Sequence, residues 1–318
     1  MNKPELISAY CLSYQNWTVI PHQIEEDFKE MRDMGFNAVD LSFSESEFQY
    51  ARRTFDLQIR IAKAAGLKVN VIPSRWGGRF AGAPLMPSIW LSRNPQDALL
   101  GYFTVACIES PAFRDWFRER LETLLTDYDV DGIIWDEPKD IDFISRHPET
   151  IKKFGENPTR ENMMDSFAEF LGEMSEFCFE LRPGIKQTLF VQNSDSEYFT
   201  RKASQIKTIH YHGYDGNLSR QSFFREEPQW HKNRIDDVWT RTLAECGATG
   251  KKSFALVENM LMPSAAMAEF DENFKKYLSG PLPDHLAIYY YAHNNEDPEA
   301  VHEIVKRHMS KLLGKRKP

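Results

Sequence analysis

Three acidic residues close apolar runs in this chain. Asp136 and Glu137 end "VDGIIWDE" just before Pro138, and Glu258 ends "KSFALVE" just before Asn259. Taking a charge out of water is costly. A carboxylate at the end of a buried-looking run therefore meets solvent, caps the next helix, or stands at the mouth of a pocket. Two carboxylates facing one pocket can do acid–base work, one giving a proton while the other attacks or activates water. His210 and His212, two apart, fall on one face of a strand and could ligate a metal with Asp136, Glu258 and His293. Histidines that bond a carboxylate or a hydroxyl explain the same pair without an ion, so no metal and no other cofactor is expected.

The elements that must carry these residues alternate regularly. Apolar, β-rich runs predict strands over 5–14, 37–43, 67–73, 130–137, 185–192, 206–212, 252–259 and 285–293. Amphipathic stretches predict helices between them, over 21–35, 47–65, 161–181, 195–204 and 229–246. "PAFRDWFRERLETLLTDY", "AAMAEFDENFKKYLSG" and "PEAVHEIVKRHMSKLLG" supply the other three. Eight strand–helix units favour a closed (β/α)8 barrel over an open doubly wound sheet, which usually has fewer strands and one crevice. No linker or composition shift divides the chain, so residues 1–318 are read as one barrel domain. The segments 74–110 and 138–160 exceed the usual βα loop. They follow the third and fourth strands, on the face where barrel enzymes bind substrates.

On that face the strand ends offer Tyr14, Asn16 and Trp17 from the first strand, Ser44 and Glu45 from the second, and Arg75 and Trp76 from the third. Asp136 and Glu137 follow from the fourth, then Gln192, Asn193 and Asp195 from the fifth. The sixth gives His210, His212, Tyr214 and Asp215, the seventh Glu258 and Asn259, and the eighth Tyr290, Tyr291, His293 and Asn294. There is no glycine-rich phosphate loop and no serine or cysteine nucleophile pattern. Aromatics, amides and carboxylates suit a carbohydrate, whose ring faces stack and whose hydroxyls bond. Arg75, Trp76, Asn193, His212, Tyr290 and His293 are expected to line a sugar site with Asp136, and Trp90 in the long third loop to face it as well.

The chain of 318 residues carries a net charge of −8, with 42% hydrophobic and 27% charged residues. A large core is possible, and a nucleic-acid partner is disfavoured because basic residues cluster only in the tail "GKRKP". No window approaches a membrane span. Four scattered cysteines without CxxC spacing, and a start that goes directly into a strand pattern, lead to the expectation of a cytoplasmic protein.

Glu137 in "WDEP" on the fourth strand and Glu258 in "LVENM" on the seventh resemble the large clan of retaining barrel glycoside hydrolases known as clan A, or the 4/7 superfamily. "ACIESPAFRDWFRERLETLLTDYDVDGIIWDEP" is similar to the segment leading into the fourth strand of several bacterial glycosidase-like barrels. The resemblance implies hydrolysis of a glycosidic bond, with Glu137 as acid/base and Glu258 as nucleophile. It also implies a raised pKa at Glu137, maintained in part by the charge of Glu258. The chain departs from the pattern in having Asp136 where that clan has asparagine. It has no arginine at the second-strand end, for which Arg75 can substitute, and "YYYAHNN" in place of a tryptophan on the eighth strand. An α-amylase-like or α-galactosidase-like arrangement, with Asp136 as nucleophile and Asp215 as acid, is the alternative. A metal-dependent barrel hydrolase or isomerase built on His210 and His212 is another.

Overall fold

Strand after strand in the structure places alternate side chains on opposite faces, one toward a closed interior and one toward helices. The computed structural model describes residues 4–11, 20–82, 88–99, 102–192, 196–219, 234–289 and 295–313. Eight parallel strands form a closed barrel in chain order: β1 (Leu6–Cys11), β2 (Ala38–Ser42), β3 (Lys68–Ile72), β4 (Gly132–Asp136), β5 (Lys186–Val191), β6 (Tyr211–Asn217), β7 (Lys252–Glu258) and β8 (His285–Tyr289). β8 returns to β1 with Leu6 opposite His285 and Tyr10 opposite Tyr289. The fold class is that of a (β/α)8 barrel.

Local chemistry accounts for the helices. Pro21–Met34 begins on a proline, buries Ile24, Phe28, Met31 and Met34 on one stripe, and stops at Gly35 with φ 94. The helix expected over 47–65 is two helices, Glu45–Tyr50 and Arg52–Ala64. The first starts in a capping box in which Ser44 and Glu47 satisfy each other's backbone. Pro111–Asp127 follows a Ser110 cap. The long third loop is not irregular. It contains the helix Ile89–Arg93 and an antiparallel pair, Ala98–Leu99 with Tyr102–Ala106. The long fourth loop contains the helix Pro148–Phe154.

The interior is filled in two tiers. The lower is polar: Asp40 accepts from Asn70 Nδ2 at 2.7 Å and from the Ser8 hydroxyl, and His285 Nε2 lies 2.9 Å from Ser8 Oγ. Burial lowers the His285 pKa to about 3, so the ring is neutral. The other is a cluster of Tyr10, Ile72, Ile134, Phe190, Phe254, Leu256 and Tyr289, with the Phe254 ring centroid 4.8 Å from that of His285.

The sixth strand departs from expectation by running over 211–217, not 206–212. "IKTIHYH" has the β-branched composition of a strand, whereas "GYDGN" reads as a turn. Packing overrides both signals. A Cβ on Gly213 would lie 1.9 Å from the Phe254 carbonyl oxygen, and one on Gly216 would lie 2.6 Å from the Ile235 nitrogen. The glycines are there for close approach of neighbouring backbone. Gly213→Ala is accordingly expected to cost about 3 kcal/mol in chemical denaturation. Gly247→Ala, in a helix with nothing within 4 Å of the new methyl, is expected to gain up to about 1 kcal/mol.

Candidate active site

Asp136 is the last residue of β4 and points into the barrel, where the Tyr10 hydroxyl from β1 donates to its Oδ2. The loop after β3 presses on it from the side: a Cβ on Gly82 would stand 2.8 Å from the same oxygen. Glu137 then takes φ 36, left-handed backbone unusual for a residue with a side chain. Its N–H donates to the Phe190 carbonyl at 3.1 Å. The turn brings Lys139 round so that its Nζ donates to Glu137 Oε2, while its own N–H is held by the Arg79 carbonyl at 2.9 Å. Asp215 reaches the same place from β6, and Glu258 from the end of β7. One carboxylate oxygen from each of Glu137, Asp215 and Glu258 lies within 4.8 Å of the other two. All three residues are buried. Asp215 hydrogen-bonds both glutamates, and its Oδ1 has no partner among the described residues.

Four buried carboxylates cannot all be charged at close quarters. Burial alone would raise Glu137, but the Lys139 ammonium, with hydrogen bonds from Asp215, Lys139 and Gln192, takes it down to about 2. Burial, then the charges of Glu137 and Asp136, push Glu258 up to about 8. Burial and the Glu137 charge raise Asp136 to about 7, against the pull of the Tyr10 hydrogen bond and the charges of Lys139 and Arg75. Asp215 is raised strongly by burial and by both glutamates. At neutrality Glu137 is therefore the anion, and Glu258 and Asp215 hold protons. This reverses the expectation that Glu137 carries the raised pKa, because Lys139 bonds Glu137 directly, whereas its charge only partly offsets burial at Glu258. An all-oxygen trio of this kind could hold a hard divalent cation, although the lysine already supplies the positive charge at Glu137.

Other expected site residues part company. Trp76 is fully buried away from the barrel axis, with Nε1 donating to the Phe43 carbonyl at 2.8 Å and its ring against Phe48 and Phe117. Left-handed backbone at Arg75 (φ 56) and Gly77 (φ 58) reverses the chain after β3 and turns the indole outward. Arg75 itself stays close enough for its charge to act on Asp136 and Asp140. Trp90 likewise packs on Phe113 and Trp116. Glu45 is a loop staple, accepting from Gly77 N, Ser88 Oγ and Trp90 N at 2.6–2.8 Å.

His212 is not a lining residue. Strand alternation that sends Asp215 inward sends His212 and Tyr214 outward, where both bond Glu245 of the helix Ile235–Thr249, His212 Nε2 at 2.8 Å. His210 precedes β6 and accepts from Gln187 N at 3.2 Å. The pair therefore offers no metal site at the mouth. Asn193, Tyr290 and His293 lie outside the described residues, as do Tyr14, Asn16, Trp17, Asp195, Tyr291 and Asn294.

Two site residues escaped the sequence reading. Lys139 looks like an ordinary loop charge after a proline, and only its two-residue distance from Glu137 hints otherwise. Tyr10 was hidden because it lies inside the apolar run "ELISAYCLSY", four residues before the expected strand end at Tyr14.

No protein-family model and no curated protein matches the chain. Solved structures do match in fold. A β-galactosidase from the psychrophilic Marinomonas ef1 superposes with TM-score 0.65 at 12% identity over 97% of this chain, which spans 60% of the β-galactosidase's length. An endo-1,4-β-mannanase from Rhizomucor miehei gives 0.62 at 12%, covering 98% of this chain and 94% of its own. A GH5_18 protein from Streptomyces cattleya, solved in complex with GlcNAc, gives 0.62 at 14%, covering 100% and 82%.

The protonation pattern has a consequence for stability. The folded pKa of Glu258, about 8, lies above its unfolded value, so the folded state loses stability as pH rises from about 4.5 through 8. Glu258→Gln removes that loss. It is expected to be on the order of 2 kcal/mol more stable than the parent at pH 9 and no more stable at pH 4, measured by urea denaturation at each pH.

Proposed function

We propose that the chain is a glycoside hydrolase acting at the barrel mouth through Glu137 and Glu258. The observation that carries this reading is the pair of opposed carboxyl groups, one ionised and one protonated, with oxygens within 4.8 Å. An upper limit of 4.8 Å between these oxygens leaves less room for an intervening water than the roughly 6.5–9.5 Å carboxyl separation of inverting enzymes, which favours the retaining arrangement. The ability of the neighbouring folds to host sugars, as in the mannanase and the GlcNAc complex, is consistent with a carbohydrate substrate.

In this mechanism protonated Glu258 gives its proton to the glycosidic oxygen as the bond to the anomeric carbon breaks. Ionised Glu137 forms the new bond to that carbon, giving a glycosyl-enzyme. Glu258, now a carboxylate beside a glutamate that has lost its charge to the ester, takes a proton from water. The resulting attack on the anomeric carbon releases the sugar and restores both groups. These roles are the reverse of those the family resemblance implies, because the lysine sits at position 139 beside Glu137. Tyr10 holds Asp136 against the mouth as an acceptor for a sugar hydroxyl.

A second candidate for the acid is Asp215, whose Oδ1 is buried without a partner among the described residues. Asp136 as nucleophile is disfavoured, since its raised pKa and the Tyr10 bond weaken it.

Glu137→Gln is expected to lose about 10⁴-fold or more in kcat on both aryl and alkyl glycosides. Glu258→Gln is expected to lose about 10²–10⁴-fold on alkyl glycosides but far less on nitrophenyl glycosides, whose leaving group needs no proton. Product analysis with added azide checks the roles, giving inverted glycosyl azide from a Glu137→Ala enzyme and retained azide from Glu258→Ala. Activity of Glu137→Gln within tenfold of the parent contradicts the proposal, and a loss selective for alkyl glycosides in Asp215→Asn but not Glu258→Gln moves the acid to Asp215.

A further inference from the structure

On the outside of the barrel, helices that follow the second and third strands leave a groove between them. Phe48 comes from Glu45–Tyr50 and Arg52 from the start of Arg52–Ala64. Arg93 comes from Ile89–Arg93, and Trp116 and Arg120 from Pro111–Asp127. Trp116 and Arg120 are four residues apart and so share one face of their helix. The groove has a volume of about 540 Å³, the size of a small-ligand site. It shares no residue with the carboxylate cluster at the mouth.

Its chemistry is cationic and aromatic. The Arg120 guanidinium lies 4.6 Å from the Phe48 ring centroid, and that of Arg52 lies 5.2 Å from the same centroid. Two like charges gathered on one ring repel unless anions offset them. Arg52 has Asp127 at 2.6 Å. Among the described residues Arg120 has the exposed Glu119 at 3.5 Å, a surface pair that contributes little. The Arg120 Nε is buried without a hydrogen-bond partner among the described residues, and an unmade bond at a buried donor is costly. Arg93 is exposed and bonds the neutral Gln49 at 3.2 Å. Glu45 also reaches the wall, but its oxygens are taken by Gly77 N, Ser88 Oγ and Trp90 N. Trp116 is half-buried, with its ring centroid 5.6 Å from that of Trp90, and the amides of Gln49 and Asn94 stand beside it.

We propose that this groove is a binding site for acidic oligosaccharides, chains of sugars that carry carboxylates, as uronates do. Guanidinium forks match carboxylates, an indole takes the apolar face of a sugar ring, and amides bond hydroxyls. A ligand carboxylate accepts from Arg120 Nε, with Arg52 and Arg93 on either side, while a ring lies on Trp116. The ligand thereby supplies both the missing acceptor and the missing negative charge. The site does not depend on glycoside cleavage by Glu137 and Glu258, and its test does not use turnover.

The full-length protein is titrated with trigalacturonate at pH 7 and low salt by isothermal calorimetry, and hydrogen exchange locates the bound sugar. Saturable binding is expected, with protection of peptides covering 45–52, 89–94 and 116–121. Arg120→Gln is expected to weaken it about tenfold, and the exposed Arg93→Gln about threefold, each with an unchanged melting temperature. Molar salt is expected to weaken it severalfold. Absence of binding at millimolar trigalacturonate, or equal binding of neutral galactotriose, overturns the proposal. Unchanged affinity in both arginine variants overturns it, as does protection confined to peptides of the mouth, 135–141 and 254–260. Tighter binding of adenosine monophosphate than of trigalacturonate overturns the sugar assignment in favour of a nucleoside phosphate.

Discussion

The ion pair between Lys139 and Glu137 is the constraint on which the mouth of this barrel depends. Four carboxyl groups, Asp136, Glu137, Asp215 and Glu258, are gathered where water is largely excluded. Repulsion among them has to be relieved by protons or by cations. One half-buried ammonium governs which of the four is ionised: the group it touches keeps its charge, and that charge raises its neighbours. A division of labour between acid and anion follows without any group of unusual intrinsic strength. The same logic separates pairs of carboxyl groups in many acid–base sites.

The lysine can do this only because the backbone around it is forced. Glu137 at φ 36 and Asp140 at φ 55 both adopt left-handed geometry outside glycine. Arg79 holds the turn from the other side through the carbonyls of Ala106, Lys139 and Asp140. Strain of this kind persists only where surrounding packing over-determines it. Here that packing comes from the two long loops, whose described parts include small helices and a paired strand. The cost of holding Glu137 in place is therefore distributed over segments distant from it in sequence.

Fold and site were legible to different degrees. The alternation of β-rich and amphipathic stretches was enough for eight strands and a closed ring, because each unit announces itself locally. Glu137 and Glu258 could be placed on one rim by counting strands. What failed was whatever depended on orientation. Trp76 and Trp90 have the composition of a sugar platform, yet two left-handed residues and the aromatic layer around Phe113 and Phe117 turn them into core. His212 was lost to a five-residue shift of β6, itself caused by Gly213 and Gly216 serving strand contact instead of a turn. Lys139 was invisible because a charged residue after a proline is ordinary, and only the folded turn brings its ammonium back to Glu137.

A neutron diffraction structure at pH 7 locates the protons at the mouth directly. The account predicts deuterium on Glu258 and Asp215, none on Glu137, and a fully protonated Lys139 donating to Glu137. A proton on Glu137 with a bare Glu258 would contradict it.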